Sequence, residues 1–224
     1  MKNAVVFDMD GTLIDSMWMF DRVRKEVIED MGYKLTKEQE AELEGVSFWQ
    51  YPKFFNEVVK AEMDDSMFFH LVNTQIRINF RKGFELKKGL VRFLDYLDEQ
   101  GVKYCVATAS KNIDAISNFK ALGMLKRFEF IITTNDVDRG KEYPTIYKEA
   151  AIMLGTHISN TYVFEDAPYA AKTAKAGGFK VVGIADDYFK SVEDEVRGVA
   201  DYFIQDYDEL MDMIERKEIT FEAN

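Results

Sequence analysis

The sequence predicts an α/β fold, in which a doubly wound parallel sheet forms the core and a helical cap domain is inserted into it. Two observations predict this fold. Short runs of β-branched and aromatic residues alternate with amphipathic helical segments along most of the chain. One long interval, between the first two of these runs, carries helical patterns without a convincing strand. With 224 residues, of which 47% are hydrophobic, the chain can also bury a sizeable core.

Six short runs are predicted as strands. They lie at residues 4–7, 102–107, 128–132, 161–164, 180–184 and 202–204. Between them, apolar residues recur at helical spacing, as in the segments 90–97 and 113–119. Gly101 and Gly123 follow these two segments in the position of C-terminal caps. A helix therefore joins each strand to the next, which predicts a parallel, Rossmann-like sheet.

The interval from residue 15 to residue 84 predicts the inserted cap, built from four helices. Phe20, Val23, Val27 and Met31 mark one helix, and the aromatic segment 48–52 marks a turn before the start of another. We therefore expect a core domain formed by residues 1–14 and 85–224, and a helical cap domain formed by residues 15–84.

Charge indicates which partners the chain can bind, and cysteine content indicates its compartment. The chain carries 29 basic and 40 acidic side chains, a net charge of −11, which argues against nucleic acid or an anionic membrane and favours a site that recruits cations. The one cysteine, Cys105, lies in an apolar run and predicts a buried thiol in a reducing compartment. There is no signal-peptide core, and no apolar stretch approaches ~18 residues. We expect a cytoplasmic protein that is a monomer or a weak homodimer.

Two carboxylates, two positions apart, follow the first predicted strand. Because alternate strand residues point the same way, Asp8 and Asp10 can reach one small volume beyond the carboxyl end of the sheet. Repulsion raises one pKa and leaves the other group ionised, as a carboxylate nucleophile beside an acidic proton donor requires. Gly11 permits the chain to turn sharply away from the strand. A strand that ends in Asp and Gly is also typical of a plain turn.

Polar residues also follow three later strands. The segment Thr108-Ala109-Ser110 offers hydroxyl and backbone N–H groups that can hold a phosphoryl oxygen, although Thr108 or Ser110 could equally cap the following helix. Lys141 lies in a loop before a predicted helix, and by itself it would be a surface lysine. Glu165 and Asp166 end a buried strand, where two acids are costly unless a cation or hydrogen-bond donors accompany them.

Taken together, the segments at Asp8, Thr108, Lys141 and Glu165-Asp166 resemble the four motifs of the haloacid dehalogenase superfamily of phosphohydrolases, in the right order and at the ends of the right strands. The resemblance covers nearly the whole chain and looks most like the branch of β-phosphoglucomutase and phosphoglycolate phosphatase. Similar members carry a helical cap between the first and second motifs, which corresponds to residues 15–84.

The resemblance implies a role for each motif residue. Asp8 would attack the substrate phosphorus to form an aspartyl-phosphate, and Asp10 would protonate the leaving alcohol. Mg²⁺ would be held by Asp8, Asp166 and the backbone carbonyl of Asp10, with Glu165 binding it directly or supporting its ligands. Thr108 and Lys141 would stabilise the charge on the phosphoryl oxygens. We expect substrate-binding residues at Gly11, Thr12, Ala109, Ser110, Asn112, Phe48 and Trp49.

The function implied is that of a Mg²⁺-dependent phosphatase, which hydrolyses a small phosphomonoester metabolite. A sugar phosphomutase is the alternative of the same class, but Phe20 and Phe48 stand where the mutase has a histidine and an arginine. Asp10 disfavours halide displacement, because the dehalogenase branch lacks the second aspartate. A phospho-accepting signalling switch is the alternative from a different class. Within the cap, the segment that contains Phe48 and Trp49 is either a lid surface or internal packing.

Overall fold

The structure, a computed structural model, describes residues 3–44, 46, 50–60 and 62–222. Its sheet contains the strands β1 (Ala4–Phe7), β2 (Lys103–Thr108), β3 (Ile131–Thr133), β4 (Thr161–Glu165), β5 (Lys180–Ile184) and β6 (Tyr202–Ile204). All neighbouring strands are parallel, and their order across the sheet is β3-β2-β1-β4-β5-β6. The predicted α/β class with a doubly wound parallel sheet is confirmed.

The third strand differs from the prediction. β3 begins at Ile131, so the expectation of a strand from residue 128 is wrong for the first three residues. The ring of Phe128 lies 5.8 Å from that of Tyr104 and 4.8 Å from that of Phe119, and the side chain is buried. This apolar run therefore begins as packing against β2 and α6 (Asn112–Ala121), and regular pairing starts only where Ile131 comes opposite Val106.

The helices of the described residues are α1 (Met17–Asp30), α2 (Lys37–Glu44), α3 (Tyr51–Phe54), α4 (Asp65–Lys82), α5 (Leu90–Glu99), α6, α7 (Thr145–Leu154), α8 (Pro168–Ala176), α9 (Glu193–Arg197) and α10 (Tyr207–Glu215). None of these helices combines the length and the low polarity that crossing a membrane requires.

Alternation along β1 and β4 separates the two faces of the sheet. Val6 and Val163 pack with α7 and α8 in one apolar cluster. Phe7 points to the opposite face, where its ring contacts Phe93 of α5 and Tyr207 of α10 at centroid distances of 6.1 and 6.3 Å. Helices therefore cover both faces, as parallel sheets require.

The helical insertion that follows β1 is confirmed. The chain divides into two compact units, Met1–Met17 with Phe80–Asn224, and Trp18–Asn79. In the second unit, α3 continues into the π-helix Phe55–Val59, which ends at Lys60 with a left-handed φ of 58°. In the first unit, the chain entering and leaving the insertion is paired by a 2.9 Å hydrogen bond from the backbone N–H of Lys87 to the carbonyl of Leu13. The functional division into a core and a cap at residues 15–84 stays a prediction.

The strand order creates one position where the chain connections diverge. β1 is followed by α1 and the insertion and pairs with β2 on one side, while β4 pairs with β1 on its other side. In open α/β sheets with this order, ligands bind outside the carboxyl ends of the strands at such a point. The fold therefore directs attention to the residues that follow β1 and β4.

Candidate active site

Three carboxyl groups converge where β1 and β4 end. The two strands are in register, with Phe7 opposite Phe164, and the backbone N–H of Asp8 donates to the Phe164 carbonyl at 3.0 Å. One oxygen from each of Asp8, Glu165 and Asp166 lies within 4.8 Å of the others, and all three side chains are buried. Because these groups carry the same charge, the cluster needs compensating cations or donors.

Lys141 supplies an ammonium group to this cluster. Its side chain is only 2% exposed, and its Nζ donates to Asp8 Oδ1 and to Glu165 Oε1, the latter at 2.7 Å. Burial by itself lowers the pKa of Lys141, but the Asp8 and Glu165 carboxylates outweigh it and raise that pKa above its usual value. Lys141 therefore stays cationic, and the alternative of a surface lysine is wrong.

The two oxygens of Glu165 have different surroundings. Oε1 accepts from Lys141 Nζ and from the hydroxyl of Tyr147, each at 2.7 Å. Oε2 is buried without a hydrogen-bond partner among the described residues. Burial raises the pKa of Glu165 to about 7; Lys141 opposes this effect and Asp8 adds to it.

Asp166 contacts the turn that follows β1. The Thr12 hydroxyl donates to Asp166 Oδ1 at 3.1 Å, whereas Oδ2 has no hydrogen-bond partner in the described part of the chain. Gly11 has a φ of 82°, and a Cβ at that position would lie 2.1 Å from Asp166 Oδ2. Burial, followed by the Asp8 and Glu165 charges, raises the pKa of Asp166 well above its usual range. Only glycine leaves room for this carboxylate.

Asp10 lies beside the cluster in a separate hydrogen-bonded setting. Ser16 donates to Asp10 Oδ1 at 2.7 Å, and Ser110 donates to Oδ2 at 2.6 Å. Burial and then the Asp8 charge raise the pKa of Asp10 to about 6, although the two serine bonds lower it. A carboxyl group with this pKa can exchange protons near neutral pH.

The segment after β2 does not cap the following helix. The Thr108 hydroxyl accepts from the backbone N–H of Ser110 at 2.9 Å, and the Ser110 hydroxyl bonds Asp10. The N-cap residue of α6 is Lys111, which makes no side-chain capping bond. The alternative in which Thr108 or Ser110 caps this helix is therefore wrong, because both hydroxyls are engaged at the carboxyl end of the sheet.

The remaining predicted substrate-binding residues are dispersed. Ala109 is exposed beside Thr108. Asn112, in the first turn of α6, lines a surface cavity of about 490 Å³ together with Ile131, Val137 and Met153. Phe48 and Trp49 lie outside the residues that the structure describes.

Two participants at the site were not identified from the sequence. Ser16 is fully buried behind Asp10, and Tyr147 is fully buried behind Glu165. Tyr147 belongs to an apolar helical stripe with Ala150, Ala151 and Leu154, so its spacing indicates core packing. A buried phenol ordinarily needs a hydrogen-bond partner, which is the signal that could have singled it out.

The donor set fits a divalent cation. Glu165 Oε2 and Asp166 Oδ2 are buried carboxylate oxygens without protein partners in the described residues, and such groups are ordinarily satisfied. They belong to the Asp8, Glu165 and Asp166 cluster, which consists of hard oxygen donors. The arrangement thus combines a cluster of buried carboxyl groups, a carboxyl group that can exchange protons, an ammonium group and oxygen atoms that could hold a divalent cation.

By sequence, the chain is similar to known hydrolases. The family described as haloacid dehalogenase-like hydrolase matches residues 5–184. The chain is 24% identical over 177 residues to the phosphorylated carbohydrates phosphatase of Thermotoga maritima, covering 79% of this chain and 82% of that protein. It is 30% identical over 193 residues to glycerol-1-phosphate phosphohydrolase 1 of Saccharomyces cerevisiae, covering 82% and 74% of the two chains.

The fold is likewise similar to that of solved structures. The β-phosphoglucomutase of Clostridium difficile superimposes with a TM-score of 0.73 at 20% identity, covering 97% of each chain. At 20% identity, this likeness shows a shared fold and nothing further.

Proposed function

The chain belongs to the haloacid dehalogenase-like hydrolase family, and from this premise we propose that it is a Mg²⁺-dependent phosphatase that hydrolyses small phosphorylated metabolites. The observation that carries the proposal is the convergence of Asp8, Lys141, Glu165 and Asp166 at the carboxyl ends of β1 and β4. This arrangement provides a nucleophile together with charges that can stabilise a phosphoryl group.

The reaction proceeds in two displacements. The Asp8 carboxylate attacks the phosphorus, so that an Asp8 oxygen–phosphorus bond forms while the bond from phosphorus to the alcohol breaks, and the departing alcohol takes a proton from Asp10. Water then attacks the phosphorus of the aspartyl-phosphate and gives its proton to the Asp10 carboxylate. Inorganic phosphate leaves and the Asp8 carboxylate is restored.

Two further side chains act on the phosphoryl oxygens. Lys141 has three N–H donors, of which two serve Asp8 and Glu165, so the third is left for a phosphoryl oxygen. The Thr108 hydroxyl accepts from Ser110 and keeps its own proton to donate. Both contacts strengthen as negative charge moves during transfer.

The cation that this function requires would be held by Asp8, Glu165 and Asp166, and by the backbone carbonyl of Asp10. An all-oxygen donor set favours Mg²⁺ over softer ions. When bound, Mg²⁺ neutralises charge on the phosphoryl oxygens and on the crowded carboxylates. Gly11 keeps Asp166 close to the β1 turn, and Thr12 holds the other oxygen of the same carboxylate.

The substrate class proposed is a phosphate ester of a sugar or a small polyol. The two curated relatives are named for phosphorylated carbohydrates and glycerol 1-phosphate. The catalytic groups recognise only phosphate, so the choice of leaving group is assigned to the insertion at residues 15–84 as a cap. The reducing, cytoplasmic setting predicted from the sequence belongs to the same proposal.

The topology argues against a signalling switch of the receiver type. Receiver domains share the strand order 2-1-3-4-5, whereas this sheet has the order 3-2-1-4-5-6. A carboxyl group with a pKa of about 6 beside the nucleophile also favours release of the phosphoryl group to water.

The proposal is tested by phosphate release from a panel of sugar and polyol phosphates, with Mg²⁺ or with excess EDTA. We expect turnover of at least one ester with Mg²⁺ and its loss on chelation. Asp8→Asn preserves shape but removes the nucleophilic charge, so kcat should fall by several powers of ten. Asp98→Asn, which alters a carboxylate bonded to Tyr104 outside the cluster, is the matched control. No turnover of any ester, or more than a few per cent activity in Asp8→Asn, contradicts the proposal.

A further inference from the structure

A buried tyrosine hydroxyl contacts the acidic cluster without a role in the reaction described above. Tyr147 lies in the first turn of α7 and is fully buried. Its hydroxyl donates to Glu165 Oε1 at 2.7 Å. Its ring lies against the neighbouring cation, with Lys141 Nζ 5.8 Å from the ring centroid. Tyr147 therefore touches two residues of the site at once.

Strand alternation brings this hydroxyl and Glu165 together. Val163 points into the apolar cluster formed with α7, so Glu165, two residues later on β4, points to the same face. The buried stripe of α7 carries Tyr147 to that face beside Ala150 and Ala151. The contact is thus a product of the fold.

The two oxygens of the Glu165 carboxylate differ, because both hydrogen-bond donors contact the same one. Lys141 and Tyr147 both donate to Oε1, which fixes the carboxylate plane, and Oε2 stays buried without a partner in the described residues. When one oxygen of a carboxylate is held by hydrogen bonds, the other oxygen is kept in a defined place. Residues that hydrogen-bond to metal ligands normally orient those ligands in this way.

Packing alone does not account for the hydroxyl. The Tyr147 ring makes an edge contact with Phe179 at 6.0 Å and adjoins small side chains, contacts that phenylalanine would make equally well. The oxygen atom bonds only a residue of the acidic cluster among those the structure describes.

We propose that Tyr147 is a positioning residue, whose hydroxyl fixes Glu165 so that Oε2 serves the divalent cation while Lys141 stays directed at Asp8. The inference rests on the proposed function, because it assigns Oε2 to the cation of that function. It adds a requirement that a phenylalanine at residue 147 cannot meet.

The first experiment measures Mg²⁺ binding by calorimetry and by the Mg²⁺-dependent rise in Tm, alongside kcat and KM. Tyr147→Phe should weaken Mg²⁺ binding by roughly 10- to 100-fold, as loss of a group behind a metal ligand typically does. KM for the phosphate ester measured at saturating Mg²⁺ should change much less. Tyr104→Phe is the matched control, because Tyr104 is a buried residue whose hydroxyl donates to the Asp98 carboxylate at 2.8 Å outside the cluster. It should bind Mg²⁺ as the wild type does.

A double-mutant cycle tests whether Tyr147 acts through Glu165. In the Glu165→Gln background, Tyr147→Phe should cause little further loss of Mg²⁺ affinity, because the carboxylate that it positions is already absent. Equal weakening in both backgrounds would show that the hydroxyl acts elsewhere and would overturn the inference.

The outcomes also separate this inference from the proposed function. If the wild type binds Mg²⁺ and Tyr147→Phe binds it equally well, the inference is overturned and the proposed function stands. If Tyr147→Phe loses only Tm in EDTA, by the same amount as Tyr104→Phe, its role is structural and the inference is again overturned. If the wild type does not bind Mg²⁺, the proposed function fails together with the inference.

Discussion

Gly11→Ala is expected to impair catalysis far more than a similar glycine substitution elsewhere. Gly11 has a φ of 82°, and a Cβ there would lie 2.1 Å from Asp166 Oδ2 and 2.7 Å from Asp166 Cγ. Gly155, which follows α7, has a φ of 71° with nothing within 4 Å of an added Cβ. Gly155→Ala is therefore a matched control, which has the same backbone penalty without the collision.

The cost of the left-handed backbone and the effect of the collision with Asp166 can be estimated separately. A left-handed backbone costs a non-glycine residue about 1–2 kcal/mol, which corresponds to a fall in Tm of about 2–8 °C in a chain of this size. Both variants should show this loss. In Gly11→Ala the Asp166 carboxylate must also move by roughly 1 Å, and a displacement of that size in an active site can lower the rate by about 100-fold.

The assay compares kcat, Tm in EDTA and Mg²⁺ affinity in the two variants and the wild type. We expect Gly155→Ala to keep its kcat, while Gly11→Ala loses about 100-fold and binds Mg²⁺ more weakly. The reasoning is refuted if Gly11→Ala keeps kcat within about threefold of Gly155→Ala, because the collision with Asp166 would then have no catalytic consequence.

Three further results are expected. Lys141→Met leaves the buried carboxylates without their ammonium partner, so the free energy of unfolding in EDTA, measured with urea, should fall by about 3–5 kcal/mol. Mg²⁺ should restore part of this loss. Unchanged stability in EDTA would contradict the buried ion pairs. The resemblance implies that Phe20 and Phe48 stand where the mutase has a histidine and an arginine, so a hexose 1-phosphate with a trace of bisphosphate should yield free phosphate. Stoichiometric formation of the 6-phosphate isomer would favour the mutase instead. Phe48→Ala should lower kcat/KM on the native substrate by roughly 1–3 kcal/mol but change activity on a small aryl phosphate much less. Equal losses on both substrates with a lower Tm would show that Phe48 only packs within the insertion.

Periodicity was sufficient for most of the sheet. β1, β5 and β6 occupy the predicted residues, because each is a short run rich in β-branched or aromatic residues. β1 and β5 are largely buried, whereas β6, at the edge of the sheet, is partly exposed. The run at 128–132 shows where this signal fails. A buried phenylalanine packs equally well beside a strand or within one, and only its neighbours Tyr104 and Phe119 decide between these states.

The sequence by itself determined the α/β class, the helical insertion, the family and the placement of acids at strand ends, because each depends on the order of residues along a short segment. The tertiary structure alone decided what the polar groups contact. Lys141 pairs with Asp8 across 133 residues of sequence, and Ser110 reaches Asp10 across 100. The helical spacing of Tyr147 predicts a core position. Tyr147 becomes part of the site only because β4 directs Glu165 to the same face of the sheet. The physical reason is that the burial and pKa of a polar side chain are set by groups on distant elements, which local sequence cannot specify.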